Sequence, residues 1–94
     1  MPHYVMLSRL TDHGAKTIKE NPNRILEVDE ELSAMGVKVL SQFALLGEYD
    51  FLSIVEAPDN MTIAKASVEM GARGSVRLET MPAMAVEDLI ASIK

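Results

Sequence analysis

The 94 residues contain no Cys and no Trp, and only two Tyr and two Phe. Without Cys there is neither a disulfide framework nor a thiolate metal site, so stability has to come from packing. Cations are also scarce: nine Lys and Arg stand against fourteen Asp and Glu, a formal net charge of −5. A nucleic-acid groove needs clustered Lys and Arg to neutralise phosphates, and no such cluster is present. No apolar run approaches the ~20 residues that cross a bilayer, the longest being broken by Gln42, Gly47 and Glu48. The opening MPHYVMLSRL lacks the basic leader and long apolar stretch of a secretory signal. These absences lead to the expectation of a soluble, cytoplasmic protein with neither nucleic acid nor membrane as partner. A nucleophile elbow, a phosphate-binding loop and a dinucleotide fingerprint are likewise missing, so hydrolase, nucleotide and dinucleotide chemistries have no support. His3 and His13 are the only imidazoles and fall in no paired metal-ligand motif, so no metal and no cofactor is expected.

What is present is periodicity. Residues 3–10 alternate over β-favouring side chains and read as a strand. Thr11 and Asp12 can cap a short helical turn through Ala15 and Ile18, ending near Asn21. Asn21-Pro22 then suits the start of a second helical segment, in which Ile25, Val28, Leu32 and Met35 recur at three- and four-residue steps. Gly36 fits a left-handed C-cap. Residues 37–46 read as a strand, Gly47-Glu48-Tyr49-Asp50 as a turn, and residues 51–57 as the other arm of a hairpin. Asp59 can cap a helix carrying Ile63, Ala66, Ser67 and Met70 on one face and ending near Gly71 or Gly74. Residues 75–81 form a fourth strand, and residues 85–93 close the chain as a helix with Val86, Leu89, Ile90 and Ile93 at helical spacing. With no linker or repeat, residues 1–94 are expected to be one domain.

The order β-α-β-β-α-β with a terminal helix is that of an α+β, ferredoxin-like fold: a four-stranded antiparallel sheet with its main helices on one side. The second face is then bare. Strict alternation sets Val37, Val39, Phe43 and Leu45 against Leu40, Gln42, Ala44 and Leu46. Either set leaves an apolar patch that water tolerates poorly. Self-association through the open sheet face is therefore expected, the alternative being a terminal helix that folds back over it.

Several segments resemble one family. Gly47-Glu48-Tyr49-Asp50, running on through Phe51 to Asp59, is similar to the signature of the GYD-domain family. Leu10-Thr11-Asp12 with Gly14, the stretch from Lys19 to Arg24 and Gly74-Ser75-Val76-Arg77 extend the likeness over nearly the whole chain. The resemblance implies a dimeric α+β barrel of bacteria or archaea. Cofactor-independent monooxygenases, muconolactone isomerase-like enzymes and ligand-sensing domains are all built on that fold.

The candidate site residues are few. Tyr49 and Asp50 bring a phenol and a carboxylate to the start of a strand, where they could transfer a proton; turn formation accounts for the same residues. His13 joins them as a candidate base only by analogy with α+β barrel enzymes. Arg77 and Arg9 could hold an anionic ligand through bidentate bonds, and Gln42 could add an amide; an ion pair of Arg77 with Glu79 or with another copy explains the arginine equally well. Seven Met suit an adaptable core or partner surface. The leading expectation is a small oligomeric binding or regulatory module that takes, at most, a small organic ligand. A cofactor-independent isomerase or monooxygenase acting on a small organic acid or aromatic is the alternative, and a purely structural self-assembling protein is the third.

Overall fold

A computed structural model describes all 94 residues. Strand β1 (His3–Leu10) leads through Thr11 into helix α1 (Asp12–Glu20) and then α2 (Arg24–Ala34). The hairpin of β2 (Lys38–Ala44) and β3 (Phe51–Glu56) follows, then α3 (Asn60–Ala72), β4 (Val76–Ala83) and α4 (Val86–Ile93). All pairings are antiparallel, in the order β2-β3-β1-β4. This is the expected α+β, ferredoxin-like arrangement.

Local chemistry fixes the joints. Thr11 caps α1, its hydroxyl accepting from the Gly14 amide at 3.1 Å while donating to the Gly74 carbonyl at 2.7 Å. Its own amide donates to the Ser75 carbonyl at 3.0 Å, so the end of β1 is latched to the chain entering β4. Asp59 caps α3 as expected, accepting from the Thr62 amide at 2.8 Å, and this bond holds its carboxyl below the usual range. Gly36, at φ +88°, leaves α2 in the left-handed region and lets the Val37 amide reach back to the Leu32 carbonyl at 2.9 Å.

Two boundaries and one strand register differ from the sequence expectation. Asn21 ends α1 instead of starting α2: its amide donates to the Thr17 carbonyl, and Pro22-Asn23 form a turn before α2 begins at Arg24. Strand β4 runs through Pro82 to Ala83. It lies at the sheet edge, where a residue without an N–H is tolerated. Strand β2 contains a bulge: Val39 opposes Val55 and Ser41 opposes the adjacent Ile54, leaving Leu40 as the extra residue. The bulge reverses the alternation beyond it. Val39 shares the helix side with Val55, whereas Phe43, opposite Leu52, faces away.

The core lies between the sheet and α2 and α3. Tyr4, Met6 and Val55 from the sheet meet Leu32, Ile63, Ala66 and Met70 from the helices. Only 11 of 94 residues are buried, which is a thin core even for a small chain. Within it, the Tyr4 hydroxyl donates to Asn60 Oδ1 at 2.6 Å. Helix α4 contributes nothing, since none of its residues is buried.

Gly14 marks the closest backbone approach. A Cβ there would stand 1.9 Å from the Ser75 carbonyl oxygen, a backbone atom that cannot swing aside. Gly14→Ala is expected to destabilise by roughly 1–3 kcal/mol or more, read as a lower urea midpoint at unchanged slope. An unchanged midpoint would show that the α1–β4 latch has slack.

Candidate functional site

Three surfaces carry the chemistry, and the register decides what lies on each. The first is the sheet face turned away from the core. Directly opposed residues form rows across it, and one row joins Lys38, Glu56, His3 and Ala83. The next two carry Ile54, Val5 and Met81, then Phe43, Leu52, Leu7 and Glu79, and the last pairs Arg9 with Arg77. The centre is thus apolar and both ends are charged. Phe43 is 55% exposed and Met81 38%. Helix α4 does not cover this face, and its own Val86, Leu89, Ile90 and Ile93 stay exposed.

The second surface is the charged end of that face. Arg9 donates to Glu48 at 2.6 Å and stacks over the Tyr49 ring, 4.8 Å from its centroid. The Tyr49 hydroxyl donates to the Glu79 carboxylate, which raises the phenol above its ordinary pKa. A phenol held this way is a donor that keeps its proton, the opposite of a base poised near neutrality. Asp50 is turned inward to the backbone: its carboxylate accepts from the Leu10 amide at 2.7 Å, its amide donates to the Ser8 carbonyl, and its carbonyl accepts from Leu45. It ties β1 to the β2–β3 turn. Arg77, opposite Arg9, has no carboxylate partner, and its neighbour Glu79 accepts from Tyr49.

The third surface is a cleft on the helix side, beneath α1 and α2, with a volume of about 100 Å³. Ten of its fourteen lining residues are apolar. Gln42 reaches it because the bulge turns it inward, opposite Ser53. Its amide donates to Asp29 Oδ1 at 3.1 Å and to Ser53 Oγ at 3.3 Å. Burial pushes the Asp29 carboxyl above its usual range, and the Gln42 bond only partly offsets this. Glu30 and Lys38 border the same edge, yet no Lys, Arg or His pairs with Asp29. A wider hollow of about 360 Å³, bordered by Tyr4, Asn60 and Thr80, is shallow and holds no charged group.

The sequence-derived candidates therefore separate. Tyr49, Arg9 and Arg77 gather at one end of the open face, and Asp50 supports the turn beside them. Gln42 lies on the other side of the sheet. His13 sits in the first turn of α1, and His3 approaches Glu56 at 3.6 Å, so the two imidazoles do not converge. Sequence reasoning misses Asp29, since an acidic residue on an amphipathic helix reads as solvated. Its only sequence signal is a position four residues after Ile25 and one after Val28, on the edge of the apolar stripe.

The GYD-domain model matches residues 4–93 of the chain. This chain belongs to the GYD-domain family. One GYD relative, from Thermus thermophilus, is 50% identical over 95 residues, covers the whole of both chains, and is named glutamine synthetase and cystathionine beta-lyase binding protein. The crystal structure of TTHA0845, also from Thermus thermophilus, is similar in fold, with a TM-score of 0.54 and 22% identity over 90% of this chain and 95% of that one. No helix of this GYD chain is long and apolar enough to cross a membrane.

The cleft makes a prediction about stability. Because the Asp29 carboxyl is raised in the fold, its ionisation works against folding, a cost that begins above the ordinary carboxylate value and is complete once the pH exceeds the raised one. Asp29→Asn, which resembles the protonated acid, is expected to raise the thermal midpoint at pH 7. The gain should shrink as the pH falls through the raised value and vanish below the ordinary carboxylate value. A midpoint lowered at every pH would contradict the burial of that charge.

Proposed function

We propose that this GYD chain is a non-catalytic binding module that pairs with a second copy through its open sheet face and docks on larger enzymes through α4. The observation that carries this reading is the amount of apolar surface left uncovered on so small a chain. Two adjacent, mainly apolar rows occupy the open face, while beside them Arg9 and Tyr49 are bonded to Glu48 and Glu79, Asp50 is bonded to backbone, and none of the three lines the cleft. Catalysis by Tyr49, Asp50 and His13 has little to recommend it: the phenol is held protonated, the carboxylate is bonded to backbone, and the His13 imidazole bonds to neither.

Charge pattern supports a second copy as the occupant of the open face. A two-fold axis lying across the strands would set the row of Glu56 and Lys38 in one copy against the row of Arg9 and Arg77 in the other. Arg9, on β1, would then lie over the partner row one strand from its Glu56. Helix α4 presents Val86, Leu89, Ile90 and Ile93 at i, i+3, i+4 and i+7, the spacing of a helix that inserts into a partner's groove. Glu87 and Asp88 lie off that stripe. The relative's name suggests the kind of partner, namely glutamine synthetase and cystathionine β-lyase.

Paired substitutions separate the two surfaces. Phe43→Glu is expected to halve the mass measured by light scattering, whereas Leu89→Glu with Ile90→Glu should leave that mass unchanged. The α4 double variant should weaken binding to purified glutamine synthetase or cystathionine β-lyase at least tenfold in calorimetry, matching the loss of a central apolar anchor. A monomeric parent chain would refute the pairing, and full enzyme binding by the α4 variant would refute the docking surface.

A further inference from the structure

The cleft beneath α1 and α2 is not used by either proposed protein surface, and its chemistry is specific. Its wall is apolar, with Met6, Phe51 and Leu78 from the sheet and Ile25, Val28 and Met70 from the helices. One carboxylate, Asp29, stands at its mouth with no cation. Beside it the Gln42 amide spends its donors on Asp29 and Ser53, which leaves its carbonyl oxygen free to accept. A half-buried carboxylate without a cationic partner is costly, and an apolar recess next to it removes the water that would otherwise screen a ligand's charge. The recess does not stop there. A neighbouring cavity of about 80 Å³ shares Leu10, Ile18, Val28 and Val76 with it and continues toward Gly14 and Ser75. The apolar wall thus extends beneath α1 beyond the recess beside Asp29.

We propose that this cleft binds a protonated primary aliphatic amine, with the ammonium between Asp29 and the Gln42 carbonyl and the alkyl chain along the wall beneath α1. The size fits: an apolar cavity of about 150 Å³ accepts a benzene ring, and two adjacent recesses of about 100 and 80 Å³ suit a narrow chain of comparable bulk. The charge fits as well. Asp29 is the sole charged residue lining the larger recess, so a carboxylate ligand has nothing to pair with there. At the far end Arg24 and Arg73 are both engaged by Glu31 and offer no vacant cationic site. The bulge in β2 is what makes the arrangement, since a regular strand would turn Gln42 to the opposite face and Phe43 into the recess.

The site lies on the other side of the sheet from the proposed pairing face, so occupancy can be tested without disturbing assembly. The full chain, labelled with ¹³C at its methionine methyls, reports directly, because Met6 and Met70 line the cleft whereas Met81 and Met84 lie outside it. Titration with hexylammonium chloride is expected to shift the Met6 and Met70 methyls saturably and to leave Met81 and Met84 in place. Across butyl to heptyl ammonium, affinity should rise about fourfold per added methylene, the gain expected for burying each one. Asp29→Asn should weaken hexylammonium at least tenfold while leaving 1-hexanol binding unchanged, and hexanoate should not compete. The proposal is overturned if no saturable shift occurs at Met6 and Met70 or if the exposed methyls move equally. Equal binding of hexanoate, or undiminished hexylammonium binding by Asp29→Asn, overturns it too.

Discussion

A four-stranded antiparallel sheet has two faces, and in this chain α2 and α3 cover one of them. Everything else in the structure follows from that asymmetry. The covered side buries nine apolar residues, and each large one contributes about 1.5–3 kcal/mol when fully withdrawn from water. The bare side carries Phe43, Leu52, Leu7, Ile54, Val5 and Met81, a set comparable in kind to the core itself. A chain of 94 residues with no disulfide leaves this surface unused only at considerable cost to its stability. The proposed pairing with a second copy would recover it without any further sequence.

The bulge at Leu40 ties the two sides of the sheet together. One inserted residue moves Phe43 outward, where it enlarges the apolar face, and turns Gln42 inward, where it orients Asp29 over the cleft. The same device therefore strengthens a surface suited to a partner and polarises a recess suited to a small ligand. Asp29 is the expensive part: a carboxylate kept in a place that disfavours its charge, which is the pattern of a residue retained for binding at some loss of stability. By contrast, the Tyr49, Arg9 and Glu79 group is fully bonded and reads as a clasp that closes the end of the sheet.

Much of this is legible in the residues, and the exceptions have physical causes. The alternation of β1, the Asp59 cap of α3 and Gly36 after α2 are each set by local chemistry, so they appear where the sequence places them. Strand β2 is different. Both of its faces are apolar, so periodicity cannot reveal a one-residue insertion, and strict alternation wrongly groups Val39 with Phe43. Asn21-Pro22 carries the marks of a helix start, but the Asn21 amide is already used to close α1. Among the candidate residues, Gln42 stands out from sequence as a group to consider, yet its partner Asp29 emerges only once α2 is packed over β2. Asp50 is recognisable for its chemistry, and its backbone bonds show a turn anchor.

The open face is the point on which the rest depends, and one experiment addresses it directly. A mixture of ¹³C-labelled and unlabelled chains, studied by isotope-filtered NMR, reports which side chains of one copy touch another. Intermolecular NOEs are expected at Val5, Leu7, Phe43, Leu52, Ile54 and Met81, with none at Met6 or Met70. An absence of intermolecular NOEs at millimolar concentration, or their confinement to Val86, Leu89, Ile90 and Ile93 of α4, would contradict a sheet whose second face is completed by another copy of the same chain.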